Sequence, residues 1–345
     1  MTTSEQLDPG GHAPAPGRQG PGVSSAACRT CGNEQGNEAL SVREMVLGLR
    51  EPFGYLRCGG CGSLQLQDVP SDLGRYYPND YYSFTGDLAP PDRPLLRAAR
   101  RARTMLFLRA RRLLPAPVLS TRLAPLTMRW MRRANLSLSS AILDVGCGSG
   151  QLLSYLQRQG FTDLEGIDPF LPAEAEGAGR FPLRRATPAD ISGRFDFVMM
   201  NHVFEHVPDP AGALQSVRRL LAPGGTVLIR VPLAGSWASQ RYGANWAQLD
   251  APRHLFVFSA QGMETIARTS GFEVRDVFYD SEAFQFWASE QYERDIPLRD
   301  ERSYAMNPAA SIFSPGQIRD YQRQAALLNR RGEGDQAGFL LTPVG

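Results

Sequence analysis

Ile142-Leu143-Asp144-Val145-Gly146-Cys147-Gly148-Ser149-Gly150 is the stretch that decides the fold of this chain. A short apolar run carrying an acid leads into three glycines at alternate positions. A helical pattern of Leu152, Leu153 and Leu156 follows, and at Gly166-Ile167-Asp168 a second apolar run ends in another carboxylate. Strand, tight glycine turn, helix and strand make the first half of a nucleotide-binding βαβ unit, so the fold class is α/β.

The spacing narrows the ligand. A dinucleotide fingerprint reads G-x-G-x-x-G and brings a helix N-terminus to a pyrophosphate. Here the spacing is G-x-G-x-G behind an acid. A carboxylate beside the loop repels phosphate but suits a ligand with an ammonium group, and Asp168 is placed to accept both hydroxyls of a ribose. S-adenosylmethionine has an amino acid end, a ribose and an adenine. The segment closely resembles motif I of the class I S-adenosylmethionine-dependent methyltransferases.

From residue 136 onward the chain is similar to that family, which implies a Rossmann-like seven-stranded sheet. Phe195–Asn201 fits the fourth strand, with its C-terminal end toward the cofactor. A helix through Leu214, Val217 and Leu221 leads to a fifth strand, Thr226–Pro232. Ser259 caps a helix ending near Gly271, Phe272–Tyr279 is the sixth strand, and Gln336–Leu341 is the seventh, in an antiparallel edge position. Residues 281–331 are then an insertion over the substrate mouth. The resemblance implies cofactor contacts from Asp144, Gly146, Cys147, Gly148, Gly150, Asp168, Asn201 and His202, with Cys147 a small filler in its loop.

The 345 residues, 42% of them hydrophobic, hold one large α/β domain plus a small module. No apolar run reaches the eighteen or so residues of a membrane span. Residues 1–24 contain five Gly and four Pro and read as a disordered tail rather than a signal peptide. A cytoplasmic location is expected, with peripheral attachment at the inner face of the membrane as an open alternative.

Four of the five cysteines form two pairs, Cys28-x-x-Cys31-Gly32 and Cys58-x-x-Cys61-Gly62, with 26 residues between them. Two such knuckles complete a tetrahedral site of four thiolates with no open position, so the expectation is a structural zinc holding a ribbon at 25–68. Paired redox dithiols are the competing reading, but a thioredoxin-like motif occurs once, near a βαβ unit.

Residues 69–135 read as a linker with two unusual parts. Tyr76-Tyr77-Pro78-Asn79-Asp80-Tyr81-Tyr82-Ser83-Phe84 has five aromatics in nine residues, suited to sugar rings and bases, or simply to docking the linker on the core. Between Arg93 and Arg133 lie twelve of the chain's 37 Arg and no acid, leaving 25 Arg against 35 carboxylates elsewhere. Three readings stay open for this amphipathic stretch: a solvated helix hairpin, an anionic membrane surface, or a nucleic acid or phosphorylated substrate.

Three of the four histidines fall in two places: His202 and His206 in His202-Val203-Phe204-Glu205-His206, and His254 in Asp250-Ala251-Pro252-Arg253-His254. The first group follows the fourth strand, at the end of the sheet where ligands bind. Methyl transfer needs the acceptor placed in line and, for an alcohol or carbon acid, a proton removed. His206 is the leading base, Glu205 its orienting partner, and His254 an alternative base or substrate ligand. A divalent metal held by His202, Glu205, His206 and His254 is a second reading; some class I methyltransferases use a similar acid-x-x-Glu-His pattern, although here the first position is His. Simple hydrogen bonding to substrate, or capping of the next helix, is a third. H-x-x-E-H also matches an inverted zinc peptidase motif, but Pro208 and the preceding strand leave no room for the long helix that needs.

Asn201-His202-Val203-Phe204 lacks the Asn/Asp-Pro-Pro-Tyr of enzymes that methylate base amines, so nucleic acid is disfavoured as a partner. The thiolate ribbon, the Tyr-Tyr segment, Glu-His-Val-Pro-Asp and Asp-Ala-Pro-Arg-His-Leu resemble bacterial methyltransferases of glycan and deoxysugar pathways. The implied acceptor is a sugar or glycan-type small molecule methylated on oxygen, or on carbon, with Trp237, Trp246 and Trp287 available for stacking. An rRNA methyltransferase gripping RNA through the ribbon and the Arg segment, and a non-catalytic scaffold that binds S-adenosylmethionine, are the alternatives.

Overall fold

The computed structural model describes residues 22–24, 26–77, 94–109, 126–172 and 181–345. The first sheet contains β1 (Gly22–Ser24), β2 (Asn37–Arg43), β3 (Pro52–Arg57) and β4 (Leu64–Leu66). Gly22–Ser24, expected in the tail, is paired antiparallel with β2, while the rest of that tail lies outside the described residues. Two helices follow, α1 (Pro94–Arg109) and α2 (Leu126–Arg133). Only Thr104 and Phe107 of α1 are buried, and Leu95 and Leu106 are 87% and 62% exposed. The aromatic stretch beyond Tyr77 and much of the Arg-rich stretch fall outside the described residues.

The second sheet begins with β5 (Ala141–Val145), then α3 (Gln151–Gln159), β6 (Asp163–Ile167), β7 (Leu183–Arg184), β8 (Phe195–Asn201), α4 (Pro210–Leu220) and β9 (Leu221–Pro232). The fifth strand of the expected set thus starts five residues earlier than Thr226. After α5 (Trp237–Tyr242) come β10 (Phe256–Val257), α6 (Ala260–Thr269), β11 (Phe272–Tyr279), α7 (Phe284–Glu293), α8 (Pro315–Arg331) and β12 (Gln336–Pro343). Caps fix several helix starts: Asp209 accepts from the Gly212 amide, Ser259 from the Gly262 amide, and Ser314 and Gln317 form a capping box.

The sheet order is β11-β12-β9-β8-β5-β6-β7, parallel from β9 to β7. This corrects the edge position expected for Gln336–Leu341. β12 is antiparallel but lies between β9 and β11, and β11 is the edge. The order reverses between β5 and β8, which opens a crevice at their C-terminal ends.

The ribbon is not a separate body. β10, from the large domain, pairs antiparallel with β4 and completes the first sheet as β1-β2-β3-β4-β10. Val42, Tyr55, Leu64 and Leu66 share one apolar core with Val198, Met200, Ile229 and Phe256. No helix among the described residues is long and apolar enough to cross a membrane.

Candidate active site

Gly146, Gly148 and Gly150 all have positive φ, at 73°, 52° and 77°, and turn the chain from β5 into α3. Gly146 is required by close approach as well: a Cβ there would stand 2.3 Å from Cγ2 of Val203. The turn after β8 therefore lies directly on the glycine loop. Asp168, at the end of β6, accepts from the amides of Gly148 (3.1 Å) and Phe170 (2.8 Å). Burial, then the charge of Asp168, pushes the Asp144 carboxyl up to about 8. A cationic guest would relieve the repulsion that keeps Asp144 protonated beside Asp168, which fits a sulfonium and an ammonium rather than a phosphate. The Cys147 thiol is buried against Gly166 and Leu153, and burial pushes its pKa well up, as a filler requires.

The histidines meet on the other side of that turn. His206 Nδ1 is 2.8 Å from the Arg253 carbonyl, and His254 Nδ1 is 2.8 Å from the Gln248 carbonyl. A carbonyl can only accept, so both rings carry their proton on Nδ1 and keep a lone pair on Nε2. His202 has the same tautomer: Nδ1 faces Glu205 Oε1 at 3.2 Å, and Nε2 accepts from Arg230 at 2.6 Å. Its lone pair is thus consumed. Ligand atoms of Glu205, His206 and His254 lie within 4.8 Å of one another, and His202 stands outside that trio.

Glu205 is completely buried, and its Oε2 has no hydrogen-bond partner. Burial raises its pKa, but the His202 hydrogen bond and the nearby imidazoles outweigh that and hold it at about 2. Burial pushes His254 down to about 4, despite the carboxylates of Asp250 and Glu205 at 3.6 and 3.9 Å from its Nε2. His254 is therefore neutral and a weak base, which leaves His206 as the stronger candidate. The Tyr77 hydroxyl is 3.2 Å from His206 Nδ1.

A cleft of about 880 Å³ opens on these rings, within the range of small-molecule sites. Its polar lining includes His202, His206, His254, Arg230 and Asp335. Its apolar lining includes Val46 and Leu47, from the loop after β2, and Phe284, Trp287 and Leu298. Residues between 281 and 329 also line it. Of the three Trp considered for stacking, only Trp287 lines the cleft. Trp246 is 1% exposed and donates to Asp335, and Trp237 packs on Phe286 and Tyr242.

Asn201, expected at the cofactor, accepts from Arg230 at 3.0 Å. Arg230, buried against Asp280, and Arg253, 1% exposed with Asp250, Glu44 and the Tyr76 carbonyl, escaped the sequence reading. Each had a signal. Arg230 is the one charge in the apolar run Val227–Val231, and Arg253 sits between Pro252 and His254. Away from this site, the four Sγ atoms of Cys28, Cys31, Cys58 and Cys61 lie within 4.8 Å of one another.

Comparison with known proteins gives the family. Residues 111–277 match a methyltransferase domain family. A ubiquinone biosynthesis O-methyltransferase of Pseudomonas paraeruginosa is 31% identical over 173 residues, 44% of this chain and 73% of that protein. One of the same description from Acinetobacter baumannii is 34% identical over 116 residues, 30% of this chain and 48% of its own length. Among solved structures, a Burkholderia thailandensis 1,6-didemethyltoxoflavin-N1-methyltransferase with bound S-adenosylhomocysteine aligns at 17% identity and a TM-score of 0.39, over 74% of this chain and 93% of that one. The chain belongs to the class I S-adenosylmethionine-dependent methyltransferases, and it is an enzyme of that class.

Proposed function

We propose that this enzyme methylates a hydroxyl, or an acidic carbon, of a sugar or glycan precursor or a related small metabolite, with His206 as the base. The observation that carries this is the His206 tautomer: its Nδ1 proton is tied to the Arg253 carbonyl, and Nε2 is left with a lone pair in the cleft. The two relatives named for O-methylation support an oxygen acceptor. When bound, the cofactor supplies a methyl group on a positively charged sulfur that leaves as a neutral thioether. Asp144, the three glycines and Asp168 are the residues that would hold it. Nε2 of His206 takes the acceptor proton, and the buried Glu205 carboxylate stabilises the imidazolium that results. A structural zinc is assigned to the four thiolates: the Sγ pairs Cys28–Cys61 and Cys31–Cys58 are 3.8 and 3.5 Å apart, close to the edge of about 3.8 Å that a tetrahedron with Zn–S bonds of about 2.3 Å requires.

His206→Ala should lower turnover by about 10²–10⁴, the range of a general base, with cofactor affinity unchanged. Transfer of labelled methyl to a panel of nucleotide sugars, glycans and phenols reads both points. Full activity in the variant removes His206 from the role, and labelling confined to phenols removes the sugar. A second reading, a divalent cation on Glu205, His206 and His254, is favoured by the unpartnered Oε2 of Glu205. Activity lost to a chelator and restored by a divalent ion, with the thiolate zinc retained, would select it.

A further inference from the structure

The thiolate module ends on the histidines. β4 pairs with β10 at Gln65↔Phe256 and Leu64↔Val257, and the Leu66 amide donates to the Leu255 carbonyl. Leu255 in turn donates its amide to the Glu205 carbonyl. On β3, the fully buried Tyr55 donates its hydroxyl to the His254 carbonyl at 2.7 Å. Burial raises the phenol's pKa, so it remains a donor.

At the second knuckle, the Ser259 hydroxyl donates to the Cys61 carbonyl and the Ser63 hydroxyl accepts the Ser259 amide at 3.1 Å. Residues 254–259 are thus strung between the large domain and a hairpin, β3–β4, whose turn carries Cys58 and Cys61. The same module supplies part of the cleft wall. Buried Glu44 gathers the amides of Val46, Leu47 and Leu49 at 2.9, 2.8 and 3.0 Å and meets Arg253 at 3.3 Å. That loop presents Val46 and Leu47 to the cleft, and its Met45 and Val46 carbonyls accept the amides of Leu298 and Arg299.

We propose that the thiolate module is a wall of the acceptor site, with Tyr55 as the residue that positions His254 and, through Arg253, His206. Metal at the four thiolates then controls the acceptor half of the site and leaves the cofactor half alone. The assignment rests on the histidine cluster being the reacting end of the cleft. The cofactor half is reached less directly: Asp144 is on β5, Gly146 and Asp168 follow β5 and β6, and the hydrogen bonds described above run from the module to residues 254–259, and from Leu255 to the Glu205 carbonyl, rather than to those strands.

Tyr55→Phe in the full chain tests this, beside wild-type protein whose zinc has been withdrawn with a mercurial thiol reagent. In both, amide exchange over residues 250–258 should quicken about tenfold or more while 142–168 stays unchanged. S-adenosylhomocysteine affinity should hold within about twofold by calorimetry. Imidazole ¹⁵N spectra should show His254 losing its single Nδ1–H tautomer. Ser63→Ala, a smaller change at the knuckle, should repeat the pattern if Tyr55→Phe folds poorly. Unchanged exchange and an unchanged His254 signal overturn the proposal. So does loosening of 142–168 with an equal loss of cofactor affinity, which is what a general structural role would give. Full turnover in His206→Ala would instead sink the base assignment and leave the exchange result standing.

Discussion

Gly146→Ala measures how tightly the glycine loop is locked to the turn after β8. Gly146 has φ +73°, and an added Cβ would meet Val203 Cγ2 at 2.3 Å and Cγ1 at 2.9 Å. Placing an L-residue in the left-handed region costs about 1–2 kcal/mol. Overpacking a site whose neighbour is a stiff β-branched side chain adds about 1–3 kcal/mol. The variant should therefore lose about 2–5 kcal/mol of folding stability. Val203→Ala removes both γ-carbons and leaves only its Cβ, at 3.2 Å from the new methyl. In the double variant the packing part should be recovered and the backbone part should remain. Urea unfolding of the four proteins gives the cycle, with a favourable coupling of about 1–3 kcal/mol expected. Calorimetry with S-adenosylhomocysteine should show affinity falling in Gly146→Ala and partly returning in the pair. Costs that add within about 0.5 kcal/mol would refute the contact.

Asp168→Ala should weaken S-adenosylmethionine binding by at least about 10²-fold, since a charged acceptor with several hydrogen bonds is lost; unchanged affinity by calorimetry rejects its ribose role. Asp144 is held protonated up to about pH 8 in the fold but releases its proton near pH 4 when unfolded, so its contribution to stability is fully present below pH 4 and declines as pH rises toward 8. Asp144→Asn should accordingly leave the cofactor-free melting temperature unchanged at pH 4 and raise it at pH 8, and parallel profiles for the two proteins would contradict this. Metal analysis should find one zinc per chain, lost in Cys61→Ser; a wild-type content near zero removes the zinc assignment.

The first βαβ unit was legible because its rules are local. An apolar run, glycines needing positive φ and a 3.6-residue pattern lie within Ile142–Ile167, and β5, α3 and β6 fall there. The knuckles were legible for the same reason. The site's histidines stood out because three of four shared two loops. What pairs with what was not legible. β12 reads as a strand from its apolar run, but its place between β9 and β11 depends on two partners more than fifty residues away in sequence. β10 is two residues long, too short for any periodic signal, and it is the element that fuses the ribbon to the domain. Arg253–Glu44 and Tyr55–His254 span 209 and 199 residues, so no window of sequence contains either pair.

Local and remote contacts divide the labour of the site. The cofactor half is written into one stretch, and its geometry follows from backbone rules that any sequence with those glycines would obey. The half proposed for the acceptor is assembled from β3, the loop after β2, the turn after β8 and residues 248–254. Within it Glu205 is fully buried, ionised and left with an unpartnered oxygen. An unmet buried acceptor costs about 1–3 kcal/mol, more when charged, and it persists only where the surrounding fold enforces it. Its surroundings do so: the Gln248 and Arg253 carbonyls fix the His254 and His206 tautomers, and the Arg230 guanidinium fixes His202. All three rings then present no Nε2 proton to Glu205. The cluster is a negative site waiting for positive charge, which a protonated His206 would provide during turnover and a bound divalent cation would provide permanently. The two readings of the histidines thus share one electrostatic cause, and the chelation experiment separates them by asking whether the charge arrives with the substrate proton or with a metal.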